Sequence, residues 1–327
     1  MKKFLKFLIY AVLAILVLVG ALLIYIKTAL PNVGDPEDLT VERTPERIER
    51  GKYLANSVAV CMDCHSTRDW SKFSGPLVEG TLGKGGERFD HSVGMPGIFI
   101  SKNITPEGIS RYTDGELFRV ITTGVNKEGD AMFPLMPYRY YGKMDPEDIY
   151  SIIAYIRTLD PITNQVSDSE PDFPMNFILN TIPAPAEPQK RPEPSEQLTY
   201  GAYMASASAC VECHTQVKQG QILPEAAFGG GREFAFPEGS VVRSANITPD
   251  KQTGIGNWTR EQFVARFKVF ADSSYVTPSV KPGEFNTIMP WTMYGQMTEE
   301  DLSAIFAYLQ SVRPISNPVV KHTAGVR

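Results

Sequence analysis

The chain has 327 residues, of which 43% are hydrophobic and 21% are charged. This composition is typical of a globular protein, and at roughly 100–200 residues per domain the length predicts two domains. The formal net charge of −5 at pH 7 argues against the strongly basic surface that nucleic-acid binding needs, so we expect no nucleic-acid partner.

The N-terminus contains an uncharged, apolar run from Phe7 to Ile26. A helix of about 20 residues crosses a hydrocarbon core of about 30 Å. Lysines 2, 3 and 6 precede the run and indicate that the N-terminus stays in the cytoplasm. A cleaved signal peptide is the alternative, but its apolar core is usually shorter and ends at an Ala-x-Ala site. We therefore expect residues 1–30 to be a transmembrane anchor and residues 31–44 a spacer.

All four cysteines lie in two copies of Cys-x-x-Cys-His. This spacing is typical of covalent haem c attachment, because two thiols three residues apart can bond the two vinyl groups of one porphyrin. The histidine that follows then faces the iron as an axial ligand. We expect two haem c groups, held covalently by Cys61, Cys64, Cys210 and Cys213 and ligated by His65 and His214. One zinc ion on four thiolates is the alternative, but it leaves both histidines without a role.

Residues around the two motifs also repeat. Asn103-Ile-Thr-Pro recurs at Asn246, Gly85-Gly86 recurs at Gly230-Gly231, and Met136-Pro137 recurs at Met289-Pro290. Methionine is the usual second axial ligand of a closed haem c. We predict that Met136 and Met289 are these ligands, because the following proline keeps each segment extended. Met132 and Met293 are the alternatives.

The second ring nitrogen of each axial histidine needs a hydrogen-bond acceptor. The sequence suggests the carbonyl of Pro76 for His65 and, less clearly, that of Pro224 for His214.

Helix signals repeat with the motifs and predict a mostly α-helical chain with long loops. Thr113–Glu116 and Thr259–Gln262 have the pattern of capping boxes. Apolar stripes of period 3.6 follow Asp145 and Thr298 and indicate helices with one buried face. Gly51 and Gly201 precede the two haem motifs, and we expect the helices that carry Tyr155 and Tyr308 to cross there.

These signals define an all-α fold of two tandem domains behind one transmembrane helix. The expected domains are residues 45–162 and 195–318, joined by a proline-rich linker, residues 163–194, and followed by a tail, residues 319–327. The prolines keep the linker extended and semi-rigid, and Phe173 to Leu179 suggest that part of it packs against a domain.

The combination of Cys-x-x-Cys-His, Asn-Ile-Thr-Pro and Met-Pro-aromatic resembles the cytochrome c subunits of bacterial membrane-bound alcohol and gluconate dehydrogenases. The resemblance covers nearly everything after the anchor. It implies tandem cytochrome c-like domains that pass electrons between a dehydrogenase and quinone or an oxidase. Those subunits typically have three haem domains, whereas this chain has two motifs, which leaves the partner open.

We therefore expect an electron carrier without catalytic residues, anchored in the bacterial inner membrane with its haem domains on the periplasmic side. Its expected partners are redox proteins, a dehydrogenase or a respiratory membrane complex. The alternative is a dihaem enzyme that resembles a peroxidase or a thiosulfate dehydrogenase. Such an enzyme needs a haem with an open or exchangeable ligand position.

Overall fold

The computed structural model describes residues 2–325, and most of its regular structure is helical. The longest helix, α1, is the apolar N-terminal one, and none of its residues is buried. It is the one helix in the described chain that is long and apolar enough to cross a membrane. The helices of the first half are α1 Lys2–Ala29, α2 Pro45–Tyr53, α3 Cys61–His65, α4 Pro106–Ile109, α5 Asp114–Thr123, α6 Tyr138–Tyr141 and α7 Pro146–Ile156.

A short helix, α8 Met175–Ile178, lies in the linker. The helices of the second half are α9 Gln197–Ala207, α10 Cys210–Cys213, α11 Arg260–Lys268, α12 Trp291–Tyr294 and α13 Glu299–Ser311. Both predicted capping boxes are present, at Thr113 and at Thr259. The caps that begin α7 and α13, Asp145 and Thr298, are present as well. Side-chain oxygens thus satisfy amide groups at each of these helix starts.

The prediction of a mostly helical chain is confirmed, but three small antiparallel sheets accompany the helices and were not predicted. Their strands are two to four residues long, too short to leave an alternating pattern of apolar residues. The first sheet has the order β1-β2-β3 and the last β6-β7-β8, with the hairpin β4-β5 between them. The strands are β1 Arg88–Phe89, β2 Gly97–Ile100, β3 Glu170–Pro171, β4 Val217–Lys218, β5 Gln221–Ile222, β6 Glu233–Ala235, β7 Val241–Arg243 and β8 His322–Thr323.

The predicted helix crossings are confirmed in both halves. A Cβ atom at Gly51 would lie 1.8 Å from the backbone oxygen of Ser151 on α7. One at Gly201 would lie 2.0 Å from the backbone oxygen of Ala304 on α13. Only glycine permits an approach this close. The helix that leads into each haem motif is therefore pressed against the last helix of the same half.

The two halves exchange a tyrosine–aspartate contact. Tyr203 on α9 donates to the buried carboxylate of Asp148 on α7 (2.6 Å), and its oxygen accepts from the amide of Asp145 (3.2 Å). In return, Tyr53 on α2 donates to Asp301 on α13, and its oxygen accepts from the amide of Thr298 (3.1 Å). Since each tyrosine belongs to the opposite half, these contacts fix the two helix pairs against each other.

The tyrosine–aspartate contact predicts a measurable loss of stability in Tyr203→Phe. The change removes a hydrogen bond to a buried carboxylate, which is worth about 1.5–3 kcal/mol. Chemical denaturation of the detergent-solubilised protein, followed by circular dichroism, measures the loss. Tyr275→Phe is the control, because the ring of Tyr275 packs on Phe270 away from this contact. Equal stability of the Tyr203 variant and the wild type would show that the contact does not join the halves.

Candidate haem-binding site

A large cavity of about 3040 Å³ opens beside both Cys-x-x-Cys-His motifs. The four haem-binding residues predicted in the first half all line it, namely Cys61, Cys64, His65 and Met136. Of those predicted in the second half, Cys213 lines the cavity, whereas Cys210, His214 and Met289 are not part of its lining. The structure thus brings the first set together around a space of ample size and places the second motif at the edge of the same space.

Both motif helices begin in the same way. The residue before the first cysteine has a left-handed backbone, at Val60 (φ 45°) and at Ala209 (φ 49°). This conformation is uncommon for a residue with a side chain, and its energetic cost is tolerated where the surroundings impose it. It turns the chain immediately before α3 and before α10, so both motif helices begin at the same kind of turn.

The axial histidines are held by carbonyls other than those predicted. The Nδ1 atom of His65 lies 2.6 Å from the carbonyl oxygen of Lys102, and that of His214 lies 2.7 Å from the carbonyl oxygen of Ala245. The prediction of Pro76 and Pro224 was therefore wrong. The carbonyl of Pro76 accepts from the amide of Asp69 instead, and that of Pro224 accepts from the amide of Ala227.

A carbonyl partner fixes the histidine tautomer. A carbonyl oxygen only accepts, so Nδ1 carries the proton and Nε2 keeps the free electron pair that a metal ion needs. Burial lowers the pKa of His65 and of His214, which outweighs the opposite effect of the backbone hydrogen bond. Both rings are therefore neutral near pH 7, as an iron ligand must be.

The repeated Asn-Ile-Thr-Pro segment explains why these carbonyls are in place. The Oδ1 atom of Asn103 accepts from the amide and the hydroxyl of Thr105, and its Nδ2 donates to the carbonyl of Ile162. Asn246 makes the same bonds to Thr248 and to the carbonyl of Ile315. Each asparagine therefore fixes the backbone immediately after the carbonyl that holds the histidine.

The first glycine of each repeated pair binds the backbone of the motif histidine. Together with the carbonyl and the asparagine described above, it forms what we call the cage around each histidine. The amide of Gly85 donates to the carbonyl of His65 (2.9 Å), and the amide of Gly230 donates to that of His214 (2.8 Å). A Cβ atom at Gly85 would lie 2.5 Å from the backbone of Lys102, and one at Gly230 would lie 2.4 Å from that of Ala245. The sequence showed both repeats but did not reveal that they meet at the histidine.

The loop after the first motif supports the methionine segment of the second half. The hydroxyl of Ser74 donates to the carbonyl of Met289 (2.5 Å) and accepts from the amide of Trp291 (3.1 Å). The amide of Ser74 donates to the side chain of Asn286 (2.9 Å). The position of Met289 therefore depends on a residue of the other half, a link that no local sequence signal indicates.

Acidic residues inside the motifs have cationic partners. Asp63 pairs with Arg68 at 2.8 Å, and Glu212 pairs with Arg232 at 3.2 Å. Glu212 also accepts from the hydroxyl of Tyr140 at 2.7 Å, and Tyr140 follows Met136 by four residues. This bond joins the second motif to the methionine side of the first half.

The four cysteines are free thiols in the structure. Within residues 2–325, no three histidine, cysteine, aspartate or glutamate side chains converge so that they can hold a metal ion. Burial raises the pKa of Cys61 and of Cys210 to about 12, so both are protonated thiols near pH 7.

Gly85→Ala is expected to loosen the cage around His65. The new methyl group collides with the Lys102 backbone, which holds His65, and such overpacking costs about 1–3 kcal/mol. We expect a lower unfolding free energy and a changed potential at one haem in a spectroelectrochemical titration.

Gly80→Ala is the matched control for this change. Gly80 also has a positive φ (73° against 68° at Gly85), but a Cβ atom added there would have no neighbour within 4 Å. Both variants share the cost of a left-handed alanine, about 1–2 kcal/mol. The cage would be refuted by equal potentials and equal stabilities in the two variants.

Comparison with known proteins supports the resemblance noted from the motifs. Residues 198–313 match the cytochrome c family, so the chain contains a cytochrome c domain. It is 25% identical over 308 residues to the cytochrome c subunit of the alcohol dehydrogenase (quinone) from Gluconacetobacter polyoxogenes, covering 88% of this chain and 59% of that protein. It is 24% identical over 282 residues to the gluconate 2-dehydrogenase cytochrome c subunit from Pantoea cypripedii, covering 81% of this chain.

The lengths of the relatives differ. The chain spans only 59% of each of those two dehydrogenase subunits. A diheme cytochrome c-type protein from Cereibacter sphaeroides is 28% identical over 268 residues, which cover 78% of this chain and 82% of that protein. The chain is therefore similar to cytochromes of dehydrogenases along most of its length, and its extent is closer to that of the diheme relative.

Proposed function

We propose that this protein is a membrane-anchored dihaem cytochrome c that carries electrons on the outer side of the bacterial cytoplasmic membrane. The observation that carries the proposal is the repeated histidine cage. His65 and His214 each follow a Cys-x-x-Cys pair, and each donates through Nδ1 to a carbonyl that precedes Asn-Ile-Thr-Pro. Two sites built alike in one chain support a relay more than a single catalytic centre.

We propose that each half is one haem domain, with the boundaries 45–162 and 195–318 and the proline-rich residues 163–194 between them. The family match at residues 198–313 supports the second domain. The first is supported by its shared plan: the Gly51 crossing, the Thr113 capping box and the His65 cage each have a counterpart in the second half.

The residues present fit haem c. Cys61, Cys64, His65 and Met136 line one cavity, and the second motif has the same local geometry. A bound haem c supplies a one-electron iron couple. Cys61 and Cys64 would supply the thioether bonds, His65 a neutral imidazole held by a carbonyl, and Met136 a sulfur ligand. A haem held by both the histidine and the methionine would leave no iron position for a substrate.

The membrane assignment is supported by α1. The helix has 28 residues and no buried side chain, so the described residues leave most of its apolar surface uncovered. A lipid bilayer is the environment that satisfies such a helix. We propose that it remains attached and keeps the cytochrome near other membrane proteins.

The proposed partners are redox proteins, either a dehydrogenase or a respiratory membrane complex. Relatives are named as cytochrome subunits of alcohol, gluconate and fructose dehydrogenases, which supports a dehydrogenase as the electron donor. Co-purification from detergent-solubilised membranes identifies the partner directly.

The methionine assignment predicts a paired result. Met136→Leu and Met289→Leu keep the side-chain volume but remove the sulfur ligand, so each variant should convert one haem from low spin to high spin and lower its potential. Absorption spectra and redox titration measure both effects. Met132→Leu and Met293→Leu are the controls and should leave both haems low-spin. If a control variant has a high-spin haem while the Met136 or Met289 variant of the same half stays low-spin, the control methionine is the ligand instead.

The carrier function itself is tested against the dihaem enzyme alternative. The purified full chain should contain two haem c per polypeptide, both low-spin, and should exchange electrons with a redox mediator without turning over hydrogen peroxide. The filled axial positions are the physical reason for this expectation. A high-spin haem in the wild type, together with peroxide reduction at an enzyme-like rate, contradicts the carrier and favours the enzyme.

A further inference from the structure

An apolar, exposed segment of the linker lies against the outer end of α1. We call residues 172–182 the interfacial segment. Phe173 is 78% exposed, although it is a large apolar side chain in a linker whose other residues are mostly polar or proline. The sequence suggested that this part packs against a domain, and Leu179 is indeed buried. Ile178 lines the cavity beside the haem motifs, whereas Phe173 does not, so the exposed ring of Phe173 points to a second contact.

The interfacial segment binds the C-terminal end of α1 through four contacts. The side-chain amide of Asn180 donates to the carbonyls of Ile26 and Leu30, both at 3.1 Å. The ammonium of Lys27 donates to the carbonyl of Asn176 (2.8 Å) and lies 5.1 Å from the ring centre of Phe177. Asn180 thus satisfies carbonyls that a helix end leaves without partners.

The same segment is fixed to the first half. The amide of Asp172 donates to the carbonyl of Pro96 (3.1 Å), and its carboxylate contacts His91 at 2.7 Å. The guanidinium of Arg139 donates to the carbonyl of Ile182 (3.2 Å). The segment therefore connects the apolar helix to the body of the protein at both of its ends.

The contacts with α1 indicate where the segment lies along the membrane normal. Ile26 is the last residue of the uncharged run that begins at Phe7, and Lys27 is the first charge after it. If that run crosses the hydrocarbon core, Ile26 to Leu30 lie in the interfacial layer on the outer side. The ring of Phe173 lies 6.2 Å from that of Phe177, which contacts Lys27, so Phe173 is close to this end of the run. Amphipathic segments with aromatic and aliphatic side chains bury them at this boundary.

We infer that the interfacial segment enters the outer lipid–water interface through Phe173 and makes a second membrane contact beside the span. The inference rests on the proposed membrane span of α1. The occupant is the lipid bilayer, because the apolar surface continues from a helix whose only suitable surroundings are lipid. The contact holds the first half at one orientation above the membrane, in place of a flexible tether.

The test uses the full haem-loaded chain in nanodiscs of phosphatidylcholine and phosphatidylglycerol that contain a diazirine phospholipid reactive near the glycerol. Mass spectrometry after illumination locates the lipid adducts. We expect adducts in α1 and in residues 173–178. Adducts in α1 without any in the segment overturn this inference and leave the span intact. The absence of adducts in α1 overturns the span itself.

The variant Phe173→Glu isolates this side chain. It should lose the adducts in the segment and keep those in α1, because a carboxylate is disfavoured in the interface and the position is already exposed. Val276→Glu is the matched control, since Val276 is 83% exposed in the second half, and it should keep the wild-type pattern. Adducts that persist in the segment of the Phe173 variant contradict the inference.

Discussion

Two buried carboxylates link the halves of this protein. Asp148 is 1% exposed and Asp301 is 4% exposed, and each lies in the first turn of the last helix of its half. Burial of an unpaired charge is costly, so each needs donors that stay in place. Tyr203 and Tyr53 supply them from the opposite half. Separation of the halves would leave each carboxylate without one of its donors, and the shared cavity depends on this arrangement.

The two carboxylates differ in how their charge is balanced. Asp148 is bound by Arg50 through two bonds, at 2.9 and 3.0 Å, and by Arg191 of the linker at 2.6 Å. Asp301 is bound by the hydroxyls of Tyr53 and Tyr200 and lies at the positive end of α13, which stabilises an anion there. Burial and the neighbouring Asp301 raise the pKa of Tyr53 and of Tyr200, so both remain protonated donors. Asp148 and Asp301 occupy equivalent positions, but positively charged side chains balance the first and neutral hydroxyl groups bind the second.

The sequence predicted those features that depend on short, local patterns. The caps at Thr113 and Asp145 follow from residues a few positions apart, and the crossing at Gly51 was indicated by a glycine that recurs before each haem motif. The carbonyl partner of His65 did not, because Lys102 lies 37 residues away and only the fold brings them together. The repeat of Asn103 and Gly85 was the available signal. Its role becomes clear only when the backbone around His65 is seen.

Contacts between the halves could not be predicted from the sequence either, because they also join residues that are far apart in the chain. Ser74 and Met289 are 215 residues apart, and no periodicity or capping rule relates them. The short strands were missed because two to four residues are too few to show an alternating pattern of apolar side chains. The interfacial segment was recognised as apolar, but its contact with α1 depends on Asn180 and Lys27 meeting partners about 150 residues away.

The exchange of tyrosines has the form of a two-fold dimer within one polypeptide. Tyr53 contacts the helix that carries Asp301, and Tyr203 contacts the helix that carries Asp148, so each half offers the same surface and receives the same surface. This reciprocity defines an isologous interface between identical subunits. Two separate copies of one such half would make each contact of this kind twice and would keep both carboxylate sites identical. Within one polypeptide the two sites can differ, and here Asp148 is bound by two arginines and Asp301 by two tyrosines.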